Sequence, residues 1–120
     1  AIDYARAQGA SNVTTWGYSS GGALAALVPA DALLLTFPDF GALANLPEDL
    51  RAGYEIPAEL SELSPHTFVQ TATEDEIAAR VCVPGAVARD YVSTHRVSTP
   101  AVARQRVRDA AGFLAGGLEK

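Results

Sequence analysis

The chain has 120 residues, 48% of them hydrophobic, which suits one domain with its own apolar core. Fourteen acidic residues against nine basic ones leave a formal net charge of −5, which argues against a nucleic-acid partner, since that would require a basic face. A lone cysteine, Cys82, excludes an internal disulfide and a cysteine-based metal cluster, and no apolar run is long enough to span a bilayer or reads as a secretory signal. The expectation is a soluble, cytoplasmic protein with no cofactor.

Ala1 to Gln8 are rich in helix-forming Ala, Arg and Gln, and Gly9 is placed to end that helix in a left-handed cap. Ala10-Ser11-Asn12 turns the chain into a short β-branched run, Val13 to Trp16. Gly17-Tyr18-Ser19-Ser20-Gly21 follows, and an alanine-rich helical run, Ala23 to Val28, begins at once and stops at Pro29. Strand, Gly-x-Ser-x-Gly and helix in that order are the context of a nucleophile elbow, with Ser19 at the apex of a strained turn. Gly17 and Gly21 are expected to be glycine because a Cβ would obstruct the approach of helix to strand. The rival reading is a glycine-rich turn that only connects, or that cradles a phosphate at the helix N-terminus. It lacks the Lys-Ser/Thr ending of a P-loop.

Asp31 to Phe37 is a continuous apolar run, as a parallel strand buried on both faces reads. From Gly41 to Pro65 the composition shifts to Glu, Asp, Pro and Leu without a sustained period. A lid-like insertion over about 41–65 is expected, with short helices at Leu46–Leu50 and Ala58–Leu63. Its apolar residues Leu46, Leu50, Tyr54, Ile56, Leu60 and Leu63 favour an apolar acyl chain. Thr67 to Ala72 is the next strand, Ile77 to Cys82 a short helix with Cys82 in the core, and Asp90 to Thr94 a fourth strand running into His95. Thr99-Pro100 starts the last helix as cap and first residue. Ala103, Val107, Ala110, Ala111, Leu114 and Leu118 would be its apolar face, and Gly116-Gly117 its end. This alternation implies an α/β fold of three layers, a parallel sheet of about four strands flanked by helices on both faces.

Gly17-Tyr18-Ser19-Ser20-Gly21-Gly22 resembles the elbow of the α/β-hydrolase superfamily, in its esterase and dienelactone-hydrolase-like branch. Thr71-Ala72-Thr73-Glu74-Asp75-Glu76-Ile77 resembles the family's His-Gly-Thr-x-Asp-x-(Ile/Val) stretch. The resemblance covers nearly the whole chain but only the C-terminal half of the family's domain, strands 5 to 8. It implies a serine hydrolase with Ser19 as nucleophile, Asp75 as acid and His95 as base, in the family's chain order. Asp39, just past an earlier strand, is the alternative acid. The chain departs from the pattern at Ala72, where glycine is usual, and at Arg96, which follows the histidine. His66 precedes its strand and so falls at the opposite edge of the sheet from the usual site.

The chemistry requires these three types. A serine hydroxyl is a weak nucleophile until a base takes its proton, histidine titrates near neutrality, and a carboxylate fixes the histidine's tautomer. The Ser20 N–H would be one oxyanion donor, and Tyr18, beside the nucleophile, is the candidate substrate contact. The substrate would be a small acyl compound, and no metal is implied. With strands 1 to 4 of the family unmatched, the Val13–Trp16 strand would be an edge, covered by a second copy or by a missing N-terminal half. The family's second oxyanion donor would be missing too, so weak activity is expected. The second reading is a non-catalytic hydrolase-like interaction module pairing through that edge.

Overall fold

The structure is a computed structural model that describes residues 1–28, 30–45, 47–51, 66–79, 81–96 and 98–116. Most of the expected lid, including Tyr54, Ile56, Leu60, Leu63 and the helix at Ala58–Leu63, lies outside the described residues, as do Leu46, Pro29, Gly117 and Leu118.

Helix α1, Ile2–Ala7, ends as its sequence demands, with Gly9 at φ 100° just beyond it. Strand β1, Thr14–Tyr18, leads through Ser19 into helix α2, Ser20–Ala25. Strand β2 is Ala32–Thr36, β3 is Thr67–Ala72 and β4 is Val87–Tyr91. A 3-10 turn, Phe40–Asn45, and one turn of helix, α3 (Glu48–Arg51), follow β2. Helix α4, Pro100–Leu114, closes the described chain. The four strands are all parallel, in the order β1-β2-β3-β4. Among the described residues, no helix is long and apolar enough to cross a membrane.

Both faces of the sheet are covered, and the alternation of side chains along the strands decides which residues meet which helix. Leu33, Leu35 and Val69 face one way and pack with Val83, Ala25 and Ala26. Leu34 and Phe68 face the other way, against Ala110 and Phe113 of α4. Strand β3 is buried at every position, as a central parallel strand should be. That burial includes Gln70, which is fully enclosed. Its amide nitrogen donates to the Arg106 carbonyl at 2.9 Å and the Tyr91 hydroxyl at 3.2 Å, and its oxygen accepts from Thr36 Oγ1 at 2.7 Å. Tyr91 in turn donates to Asp109 at 2.6 Å, and Trp16 Nε1 donates to Thr36 at 2.9 Å. The network pairs the buried amide of Gln70 and the hydroxyls of Thr36 and Tyr91, which is the condition for tolerating them there, while the buried Nε of Arg106 has no hydrogen-bond partner among the described residues.

Four expectations are corrected. The fourth strand lies at 87–91 rather than 90–94, because Phe68 pairs with Val87 and Ala72 with Tyr91. Beyond Tyr91 the chain turns away, with Ser93 Oγ bonded to the Thr94 carbonyl and to Ser98 Oγ. No helix forms in the described residues of 77–82. Asp75 Oδ1 instead accepts from the N–H groups of Ile77 and Ala78, at 2.9 and 2.7 Å, a local turn that competes with helix. Cys82 is exposed rather than in the core. On α4, the stripe facing the sheet is Val102, Arg106, Ala110 and Phe113, while Val107 and Leu114 are exposed. Arg106 holds a place in that stripe because its stem is apolar and its guanidinium lies 5.1 Å from the centre of the Phe37 ring. The start of α4 is as expected, with Thr99 Oγ1 accepting from the Val102 N–H.

Candidate active site

Parallel pairing puts the carboxyl ends of all four strands at one rim, since Tyr18 pairs with Thr36, Thr36 with Gln70, and Ala72 with Tyr91. Ser19 leaves that rim directly after β1, Asp75 shortly after β3, and His95 shortly after β4. Three residues scattered over the sequence are thereby delivered to one place.

The elbow itself is built by sterics. Ser19 has φ 58° and ψ −124°, a conformation that an L-residue adopts only when its surroundings impose it. Its N–H donates to the Thr36 carbonyl at 3.0 Å, and its own carbonyl accepts from Asp39 at 2.9 Å and Gly22 at 3.0 Å. Gly17 lies so close to α2 that a Cβ there would be 2.2 Å from the Gly21 carbonyl oxygen. The expectation for Gly21 is corrected: a Cβ at that position meets nothing within 4 Å. The second glycine in tight packing is Gly22, whose Cβ would lie 3.2 Å from both the Gly17 oxygen and Pro38 Cβ.

His95 Nε2 lies 2.8 Å from Ser19 Oγ, and His95 Nδ1 lies 2.8 Å from Asp75 Oδ2. The pair is secluded, with 2% of the His95 side chain and 8% of the Asp75 side chain exposed. Burial pushes the Asp75 carboxyl up. The hydrogen bond from His95, those from the Ala78 and Ile77 N–H groups, and the attraction of the imidazole outweigh that effect and hold it below its ordinary value of 3.8. An ionised carboxylate only accepts, so Nδ1 carries the proton, and in the neutral imidazole the Nε2 lone pair then faces the Ser19 hydroxyl. In that arrangement the hydroxyl proton has an acceptor within reach, and an imidazolium formed by accepting it has a counter-charge.

Asp39, the alternative acid, contacts the elbow through its backbone N–H on the Ser19 carbonyl; the imidazole is met by Asp75. His66 lies just before β3, at the opposite end of the strands. Ser20 opens α2, so its N–H has no intrahelical acceptor. Tyr18 is 44% exposed, its ring is tilted against the His95 ring with centroids 5.4 Å apart, and its hydroxyl donates to the His95 carbonyl. Among the described residues, no group of three or more His, Cys, Asp and Glu could hold a metal ion.

Two neighbours of the imidazole escape a reading of the sequence. Phe37, at φ 47°, sets its ring 6.1 Å from that of His95. Glu76 accepts from the His95 N–H at 3.0 Å. The first reads as the end of a buried strand and the second as one of three consecutive acids, so neither carries a signal of its own. The chain matches no protein-family model and no curated protein.

Proposed function

We propose that this chain is a serine hydrolase of carboxylesterase type, acting on a carboxylic ester or related acyl compound, with strands β1 to β4 corresponding to strands 5 to 8 of the α/β-hydrolase fold. The observation that supports this reading is the continuous hydrogen-bonded line from Ser19 Oγ through both nitrogens of His95 to Asp75, 2.8 Å at each link. In the proposed reaction Ser19 Oγ bonds to the acyl carbon while its proton passes to His95 Nε2. Asp75 stabilises the imidazolium, and the Ser20 N–H at the start of α2 stabilises the oxyanion. Collapse of the tetrahedral intermediate breaks the bond to the leaving alcohol, which takes the proton from Nε2. Water then attacks the acyl-serine by the same route, releasing the acid and restoring Ser19.

The ring of Tyr18 is the proposed substrate contact. No second oxyanion donor is assigned, and loss of one such donor typically slows turnover by about a hundred- to a thousandfold, so weak turnover is expected. The decisive experiment is labelling of the purified chain with a fluorophosphonate, with Ser19→Ala as control. Labelling confined to the unsubstituted chain is expected; labelling that survives in Ser19→Ala removes Ser19 as the nucleophile.

A second reading is favoured by one observation. Strand β1 stands at the end of the strand order, and among the described residues none pairs with its outer side; Trp16 on that strand is 52% exposed. Unpaired N–H and C=O groups beside an exposed indole suit strand addition by a second copy or by an N-terminal half of the fold. A stable dimer in sedimentation that no fluorophosphonate labels would favour an interaction module over an enzyme.

A further inference from the structure

The segment around His95 belongs to no helix or strand, so the position of its imidazole depends on what holds its main chain. Both polar backbone groups of His95 are taken by side chains. Its N–H donates to a carboxylate oxygen of Glu76 at 3.0 Å, and its carbonyl accepts from the Tyr18 hydroxyl. These residues are the immediate neighbours of Asp75 and Ser19. The end of β1 with its elbow and the loop after β3 each meet the imidazole with one residue and grip the main chain of the same histidine with the adjacent one. The rings of Tyr18 and Phe37, with centroids 5.4 and 6.1 Å from that of His95, limit its swing.

We propose that Tyr18 and Glu76 are positioning residues that clamp the His95 main chain and so fix the reach of its imidazole to Ser19 and Asp75. The proposal deepens the serine-hydrolase reading and rests on it for its kinetic consequences, though not for the clamp itself. The geometry explains why one clamp comes from each loop. A residue held only through its ring could pivot about its backbone, and a displacement of the reacting atoms by about 1 Å is enough to slow a reaction on the order of a hundredfold. Fixing the N–H and the carbonyl from opposite directions of the chain removes that pivot. Ser93, two residues earlier, is tied to the same acid loop by its carbonyl accepting from the Glu74 N–H at 3.0 Å. The clamp thus continues an existing seam between the two loops.

The test compares Tyr18→Phe, which keeps the ring and removes the hydroxyl, with Glu76→Ala and with Glu76→Gln, which keeps an acceptor. Two readouts are taken on the full chain: fluorophosphonate inactivation resolved into its saturation constant and its limiting rate, and the NMR signal of the His95 Nδ1 proton. Tyr18→Phe and Glu76→Ala are each expected to lower the limiting rate by about tenfold with the saturation constant unchanged, measured at a temperature where each variant is fully folded. The double variant should lose on the order of a hundredfold, and Glu76→Gln should recover most of the loss of Glu76→Ala. The Nδ1 proton signal should stay sharp in the unsubstituted chain and in Glu76→Gln, and broaden by exchange with water in Tyr18→Phe, Glu76→Ala and the double variant. Unchanged rates and unchanged signals in all variants would overturn the clamp. A chain that no probe labels, but whose Nδ1 signal responds as described, would uphold the clamp and overturn the hydrolase reading instead.

Discussion

A Cβ on Gly17 would sit 2.2 Å from the carbonyl oxygen of Gly21, a backbone atom with no flexible side chain to move aside. The approach of α2 to β1 is what turns Ser19 outward, so this one contact governs the candidate site. Gly17→Ala should therefore be destabilising at the upper end of overpacking effects, about 3 kcal/mol. Gly21→Ala meets open space within a helix, where alanine is favoured, and should be neutral or stabilising by up to about 1 kcal/mol. Urea unfolding of the two variants measures the contrast; equal losses would mean that the elbow is not packed as described.

Ser19 holds a positive φ of 58° that glycine adopts without strain. Strained residues of this kind cost about 1–3 kcal/mol. Ser19→Gly is expected to abolish fluorophosphonate labelling while raising the thermal midpoint by a few degrees. A lowered midpoint would show that the serine's contacts outweigh its backbone strain.

Asp75 links the site to pH. Its folded value lies below 3.8, so the unfolded chain takes up the proton first as pH falls. Its contribution to stability is complete above about pH 4 and is lost as pH drops through the lowered folded value. The stability gap between the unsubstituted chain and Asp75→Asn should narrow as pH falls below about 4. A gap of the same size at pH 2 would contradict the assignment. At neutral pH the same substitution should slow acyl transfer by about four orders of magnitude, because the amide favours the wrong tautomer of His95.

Gln70 stands at 0% exposure in the centre of β3, bonded to Thr36, Tyr91 and Arg106. Gln70→Leu fills the volume but leaves the Thr36 hydroxyl without its acceptor, while the Tyr91 hydroxyl keeps Asp109 and the Arg106 carbonyl keeps its place in the α4 ladder. A buried polar group left without a partner costs about 1–3 kcal/mol, so a loss of about 1–3 kcal/mol in urea unfolding is expected. A loss below about 0.5 kcal/mol would mean that the hydroxyl finds another acceptor.

Much of the fold was legible because its signals are local. The β-branched run before Gly17, the apolar runs in β2 and β3, the left-handed Gly9 and the Thr99-Pro100 start each act within a few residues, and the structure has an element or a cap at each. The misreadings occur where a distant partner wins or where a nearby side chain competes with helix. Strand β4 begins at Val87 because Phe68 pairs with it, and residues 77–78 are drawn into a turn by the Asp75 side chain. Arg106 faces the sheet because the Phe37 ring lies there to receive its guanidinium.

The sequence by itself determined the succession of the four strands, the parallel character of the sheet and the strained turn that carries Ser19, since these follow from backbone sterics and the spacing of apolar residues. Only the tertiary structure decided that Asp75 rather than Asp39 meets the imidazole, that Gln70 is satisfied in the core, and that Glu76 and Tyr18 hold the main chain of His95. Hydrogen bonds reach about 3 Å, and residues far apart along the chain come within that range only after the strands have paired.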